Sequence, residues 1–177
     1  MSATAPYGSW DSPIDAAAVA RGGRRLGSAA LAADDAVWWA EGRPSEGGRV
    51  ALMRRPAGGE PEEMTPTGVN VRTRVHEYGG GAWSLVGDRA LFVDFGDQRL
   101  YGLQPGEEPI ALAPEPAEPA ALRYADFRLS ADGRTVVCVR ERHGEGEPVN
   151  EIVAIALADP GAEPVVLVGG HDFFSFP

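Results

Sequence analysis

A tight turn leading into a short apolar strand occurs three times along this chain, at intervals close to 50 residues. The turns are Asp34-Asp35, Gly87-Asp88 and Asp132-Gly133, residue types that reverse a chain between paired strands. Each turn is preceded by a strand-like run (29–31, 82–85 and 127–129) and followed by another (36–39, 90–93 and 135–139). A polar loop then leads to a third run (50–53, 100–103 and 152–155), and a Gly/Pro turn to a fourth (63–65, 110–112 and 165–168). Val37, Leu91 and Val136 stand 54 and 45 residues apart, and Leu52, Tyr101 and Val153 stand 49 and 52 apart. Four strands in about 50 residues is the size of one β-propeller blade. An ordinary β-sandwich would share the strand density, but not turn chemistry that returns in phase.

The repeat predicts an all-β fold: a β-propeller fragment of about three four-stranded antiparallel blades, with one short helix before them. Ser12 as N-cap, Pro13 in the first turn and Asp15 in the capping-box position open that helix. Residues 16–20 continue it and Gly22-Gly23 end it. The expected division is a lead-in over residues 1–27 and an incomplete propeller over 28–177. His171-Asp172-Phe173-Phe174 resembles the opening of a further unit, as Tyr124-Ala125-Asp126-Phe127 opens the third. Propellers close with roughly four to eight blades, so the expectation is the N-terminal piece of a longer protein.

Charge narrows the partners. The chain carries 16 basic and 26 acidic residues, a net charge of −10. Its basic residues are scattered, which argues against nucleic acid and anionic membrane as partners. All of them are Arg, so neither a phosphate-loop lysine nor a Schiff-base lysine exists. The single cysteine, Cys138, lies in the apolar run Val136-Val137-Cys138-Val139 and reads as a core thiol. No intrachain disulfide and no thiolate metal cage can form. Residues 1–7 lack the basic start and apolar core of a secretory signal, so the expected compartment is the cytoplasm.

In an antiparallel meander the second–third loops and the connectors between blades share one end. That end is rich here: loops 41–48, 94–98 and 141–148, and connectors 66–81 and 114–123. Binding concentrates on such loops, and the candidate substrate-facing residues among them are Arg72, Arg74, His76, Glu77 and Tyr78. Catalytic signatures are missing from the sequence. No Gly-x-Ser-x-Gly elbow and no His-Glu-x-x-His pair occurs, so no catalytic residue, metal ligand or cofactor site is assigned. Asp94-Phe95-Gly96-Asp97 is too short for a calcium loop and reads as a solvated turn. His143 reads as part of a solvated loop. Gly79-Gly80-Gly81 reads as a place of turning or close backbone approach.

Several segments resemble one family. They are residues 7–14 (Tyr-Gly-Ser-Trp-Asp-Ser-Pro-Ile), 41–49 (Glu-Gly-Arg-Pro-Ser-Glu-Gly-Gly-Arg), 97–101, 122–126 and 70–81, above all its run Arg74-Val75-His76-Glu77-Tyr78-Gly79-Gly80-Gly81. Together they resemble the acylaminoacyl-peptidase and dipeptidyl-aminopeptidase-like branch of the prolyl oligopeptidase superfamily. The resemblance implies an N-terminal propeller that gates a C-terminal α/β-hydrolase domain, where a Ser-Asp-His triad cleaves short peptides through an acyl-enzyme. The 177 residues contain no triad. The implied partners are a short peptide substrate and the hydrolase domain of the same protein, with no cofactor. By position, Arg72 and Arg74 would suit a substrate carboxylate and Glu77 a free amino terminus. The rival reading is a non-enzymatic propeller acting as a protein-interaction platform.

Overall fold

The computed structural model describes residues 4–9 and 11–177; Met1–Ala3 and Trp10, part of the N-terminal readings, lie outside them. Twelve strands form three four-stranded antiparallel meanders in chain order. The first holds β1 (Arg25–Leu31), β2 (Val37–Arg43), β3 (Arg49–Arg55) and β4 (Glu62–Glu63). The second holds β5 (Trp83–Val86), β6 (Arg89–Val93), β7 (Leu100–Leu103) and β8 (Ile110–Ala111). The third holds β9 (Leu122–Leu129), β10 (Thr135–Arg142), β11 (Val149–Ala156) and β12 (Val165–Gly169). Val37, Leu91 and Val136 occupy the second strand of each, as the repeat predicts.

Alternation along the strands explains how the sheets stack. In β6, Ala90 and Phe92 turn toward the first sheet, where they pack with Ala36, Trp38 and Leu52. Leu91 and Val93 turn the other way and pack with Tyr124, Phe127, Val136 and Cys138 of the third sheet. With a side-chain period of two, one central sheet supplies both interfaces. Trp38 fills the first interface while Trp39 points to the opposite side, half-buried. The first strands of the meanders touch one another, β1 to β5 and β5 to β9. They form the inner edge of the stack, and β4, β8 and β12 the outer one. Cys138 is buried as expected, and burial pushes its thiol far above the usual range.

The helix α1 (Ala16–Arg21) forms, but its N-cap is Asp15, whose carboxylate accepts the Ala18 amide. The Ser12 hydroxyl is instead turned onto the Ile14 backbone. A short polar side chain directly ahead of a proline closes a local ring with the residue two positions on more readily than it reaches a later amide. Among the described residues no helix is long and apolar enough to cross a membrane.

Candidate functional site

The connector between the first and second meanders crosses the loop-rich end of all three sheets. It starts beside β3, where the Val71 amide donates to the Val50 carbonyl. It then lies against the second sheet: Arg72 N–H donates to Val93, Phe95 N–H donates to Asn70, and Val71 pairs with Asp94 as an isolated bridge. It reaches the third sheet at His76, whose amide donates to Glu141 Oε2 at 2.7 Å. It returns at Gly81, where the amide donates to Asp126 Oδ1 and the carbonyl accepts the Asp126 amide, before entering β5.

The triple glycine has a steric reason. A Cβ on Gly81 would stand 2.7 Å from Asp126 Oδ1, and one on Gly80 would stand 3.1 Å from the Ala125 Cβ. The connector and β9 therefore approach more closely than side chains permit. Asp126 is itself in the left-handed region, φ 59°, in a stretch where β9 shifts register against β10. Its second carboxylate oxygen accepts the Phe176 amide, so one buried acid joins the connector, β9 and the C-terminal segment.

All five sequence candidates lie on this connector. His76 and Glu77 both have positive φ, 56° and 66°, an uncommon pair for residues with side chains. The surroundings over-determine that turn. Glu77 N–H donates to the Arg74 carbonyl and Gly79 N–H to Val75. Arg123 reaches the Arg74 carbonyl, Glu77 Oε1 and Glu141 Oε1 with a single Nη1. The Arg123 hydrogen bond holds the Glu77 carboxyl below its ordinary range. His76 Nε2 lies 3.0 Å from Asn150 Oδ1, and Asn150 Nδ2 donates to the Asp172 carbonyl. That second bond orients the amide, so His76 Nε2 is the donor of the pair. The result is a braced ridge from which Tyr78 projects, 86% exposed.

Two readings need correction. The turn 94–97 is not merely solvated. Phe95 lies under Arg72 and Arg74, with guanidinium carbons 4.7 and 4.3 Å from its ring centre, and Asp94 Oδ1 accepts the Asn70 amide. The reason is the connector, which covers this turn and buries part of it. His143 is likewise no free loop residue: it is half-buried and hydrogen-bonded to Glu141. Glu77, Glu141 and His143 offer ligand atoms within 4.8 Å of one another, but Arg123 contacts both carboxylates and already supplies the positive charge.

Of the bracing residues, Gln98, Arg123 and Asp126 lie in segments that resemble the family but carry no sign of this role, and Glu141 and Asn150 lie in no such segment. Gln98 is fully buried, accepts the Arg74 amide at 2.7 Å and donates to the Phe95 carbonyl. A glutamine beside a turn rich in Asp and Gly offers no hint of this role. A cavity of about 580 Å³ opens beside the ridge, bounded by Arg72, Arg74, Tyr78, Trp83, Phe95 and Ser28.

Comparison with solved structures identifies the architecture. A Mycobacterium tuberculosis puromycin-hydrolyzing peptidase is similar at 42% identity and a TM-score of 0.88, over 99% of this chain and 29% of that one. A puromycin hydrolase is similar at 40% identity and a TM-score of 0.76, over 89% of this chain and 25% of its own. A mutant puromycin hydrolase complexed with PGG gives 41% identity and a TM-score of 0.74, over 88% and 25%. The chain thus spans less than a third of the length of these structures. No family model and no curated protein matches it. The in-phase blades, the glycine-closed connector and these neighbours agree: the chain belongs to the prolyl oligopeptidase superfamily of peptidases, of which it carries a propeller part.

Proposed function

We propose that this chain is the propeller portion of a serine peptidase that hydrolyses short peptides or aminoacyl amides, and that it gates access to an α/β-hydrolase domain. The observation that carries this reading is the 42% identity to a puromycin-hydrolyzing peptidase, sustained over 99% of the chain. The braced ridge supports it from the inside. Arg72, Arg74, His76, Glu77 and Tyr78 stand on the loop-rich end, and the strained His76-Glu77 turn is held by contacts from the third sheet. Strain of this kind persists where surrounding structure over-determines it, and it clusters at functional sites. In this reading the acylaminoacyl, dipeptidyl or oligopeptidase type follows from how the ridge meets the substrate. The chemistry itself, nucleophile and base, belongs to the hydrolase domain.

The experiment is to read the coding DNA beyond Pro177 and express the longer product. A Gly-x-Ser-x-Gly elbow, fluorophosphonate labelling of one serine and hydrolysis of short peptides are expected. Residues 1–177 alone should not label. In the longer enzyme, Tyr78→Ala should change KM or kcat for short peptides and leave the melting temperature within about 2 °C, since exposed positions contribute little stability. A continuation without the elbow, or unchanged kinetics in the variant, would defeat the reading.

A further inference from the structure

We propose that the cavity beside the ridge binds a carboxylate, the C-terminal carboxylate of a short peptide, through Arg72 and Arg74 on the Phe95 ring. The inference rests on the reading that this end meets substrate, and it adds the cavity and the aromatic platform on which a peptide's C-terminal carboxylate would be held. Both guanidinium carbons lie within 5 Å of one ring centre, at 4.7 and 4.3 Å, so the two carbons are at most about 9 Å apart. Contact with the ring offsets part of their mutual repulsion, and an anion between them would remove the rest.

Among the described residues no carboxylate does so. Among the described residues neither guanidinium has an ion pair or a side-chain hydrogen bond, although the chain has ten more acids than bases. The neighbouring carboxylates are committed elsewhere. Glu77 is bound to Arg123, Asp94 Oδ1 accepts the Asn70 amide, and Asp126 accepts the amides of Gly81 and Phe176. Glu77 lies near enough to Arg74 to feel its charge, but as a minor influence beside Arg123.

The arginines are held ready for a ligand. Arg72 N–H is fixed to Val93, and the Arg74 backbone is fixed at both ends, its amide by Gln98 and its carbonyl by Arg123. Each guanidinium lies over the Phe95 ring and both line the same cavity, and a guanidinium presents the planar N–H fork that suits bidentate carboxylate recognition. Backbone fixation and the contact with the Phe95 ring lower the ordering cost that binding would otherwise carry. The volume, about 580 Å³, falls in the range of small-ligand sites. The aromatic walls, Tyr78, Trp83 and Phe95, suit the body of a peptide more than a hydrated inorganic dianion. The net charge of −10 favours a ligand with one negative charge over one with two.

The test uses the 177-residue chain and two probes, N-acetyl-trialanine and its C-terminal amide, in isothermal titration at low salt. The free acid should bind at least ten-fold more tightly than the amide, with a preference that shrinks as salt rises. Arg72→Gln with Arg74→Gln should abolish the preference with the circular dichroism spectrum unchanged. Arg72→Gln alone should reduce it if the double variant folds poorly. Phe95→Leu, which keeps both charges, should weaken the acid several-fold. Equal affinity for acid and amide, a preference that survives both substitutions, or displacement by equimolar inorganic phosphate would each overturn the assignment. Failure of the peptidase reading is separable, because it is scored by activity and serine labelling of the longer enzyme.

Discussion

Glu141 and Glu77 bind the same Arg123 nitrogen, yet their environments assign them different work. Glu141 is 3% exposed and accepts the His76 amide, Arg123 and His143. Glu77 is exposed and shares only Arg123. Removing Glu141 leaves the part-buried His76 amide without its acceptor and takes from Arg123 its buried carboxylate partner, while Glu77 and the Arg74 carbonyl still accept from that guanidinium. Leaving a polar group without its hydrogen-bond partner costs about 1–3 kcal/mol, so Glu141→Ala should lower unfolding free energy by about that much in urea titration. Glu77→Gln should leave the denaturation midpoint nearly unchanged, because exposed ion pairs contribute little. If the two variants lost equal stability, the ridge would not be braced by the third sheet as described. The five ridge residues were legible as candidates from residue type and loop position. Their braces were not, because Glu141, Asn150 and Asp126 come near them only through packing of a sheet 45 or more residues away.

At the scale of elements, one resembling segment has a structural role. Between β2 and β3, Arg43 contacts Glu41, Glu46 and Glu63, and Arg49 contacts Glu46 and Glu63. This network ties the two-residue outer strand β4 to the turn of its own sheet, where two ladder positions alone would hold it weakly. The connector has the opposite problem, too little room. Gly81→Ala would force a methyl group to within 2.7 Å of Asp126 Oδ1, the same atom that accepts the Gly81 amide. Overpacking of that kind costs about 1–3 kcal/mol, and the expected result is a lowered melting temperature with faster exchange of the amide at position 81 and of the Phe176 amide. Exchange unchanged at Phe176 would separate the C-terminal segment from the connector.

The whole molecule exposes apolar surface at its outer edge. Val165, Val166, Leu167 and Val168 of β12 are all exposed, on a strand that pairs with β11 on one side only. Unpaired, apolar edges recruit further strands. Light scattering of the 177-residue chain at micromolar concentration should therefore show association, and Val166→Lys with Val168→Lys should reduce it. A sharp monomer peak for the unmodified chain would refute the expectation. The C-terminal segment is better anchored than its sequence suggests: Phe174 packs on Val75, Ala125 and Val139. Acid should loosen the molecule gradually. Glu77 and Glu46 are held below their ordinary value of 4.5 by arginine hydrogen bonds. Asp34 is held below 3.8 by the Ala36 amide and Arg54, and Asp132 by the Ser130 hydroxyl and the Arg134 amide. Folded-state values below the unfolded ones contribute stability above the ordinary carboxylate range, which is lost as pH falls through the folded values. The melting temperature should stay level above about pH 5 and decline below about pH 4.

The sequence by itself determined the blades. Turn residues and alternating apolar positions act over a few neighbours, so strand count, order, antiparallel pairing and the loop-rich end could all be read without coordinates. It also marked the three glycines as a place of turning or close approach, and the fold uses both: Gly79 has a positive φ, while Gly80 and Gly81 lie against Ala125 and Asp126. What the tertiary structure alone decided was which groups meet across sheets. Phe95 read as part of a solvated turn until the connector placed Arg72 and Arg74 over it. His143 read as solvated until it was found hydrogen-bonded to buried Glu141. The helix began at Asp15 and not Ser12 because local hydrogen bonds compete within a few residues, and only geometry chooses among them. Periodicity encodes the face a residue turns to; it does not encode the partner that the neighbouring sheet brings to that face.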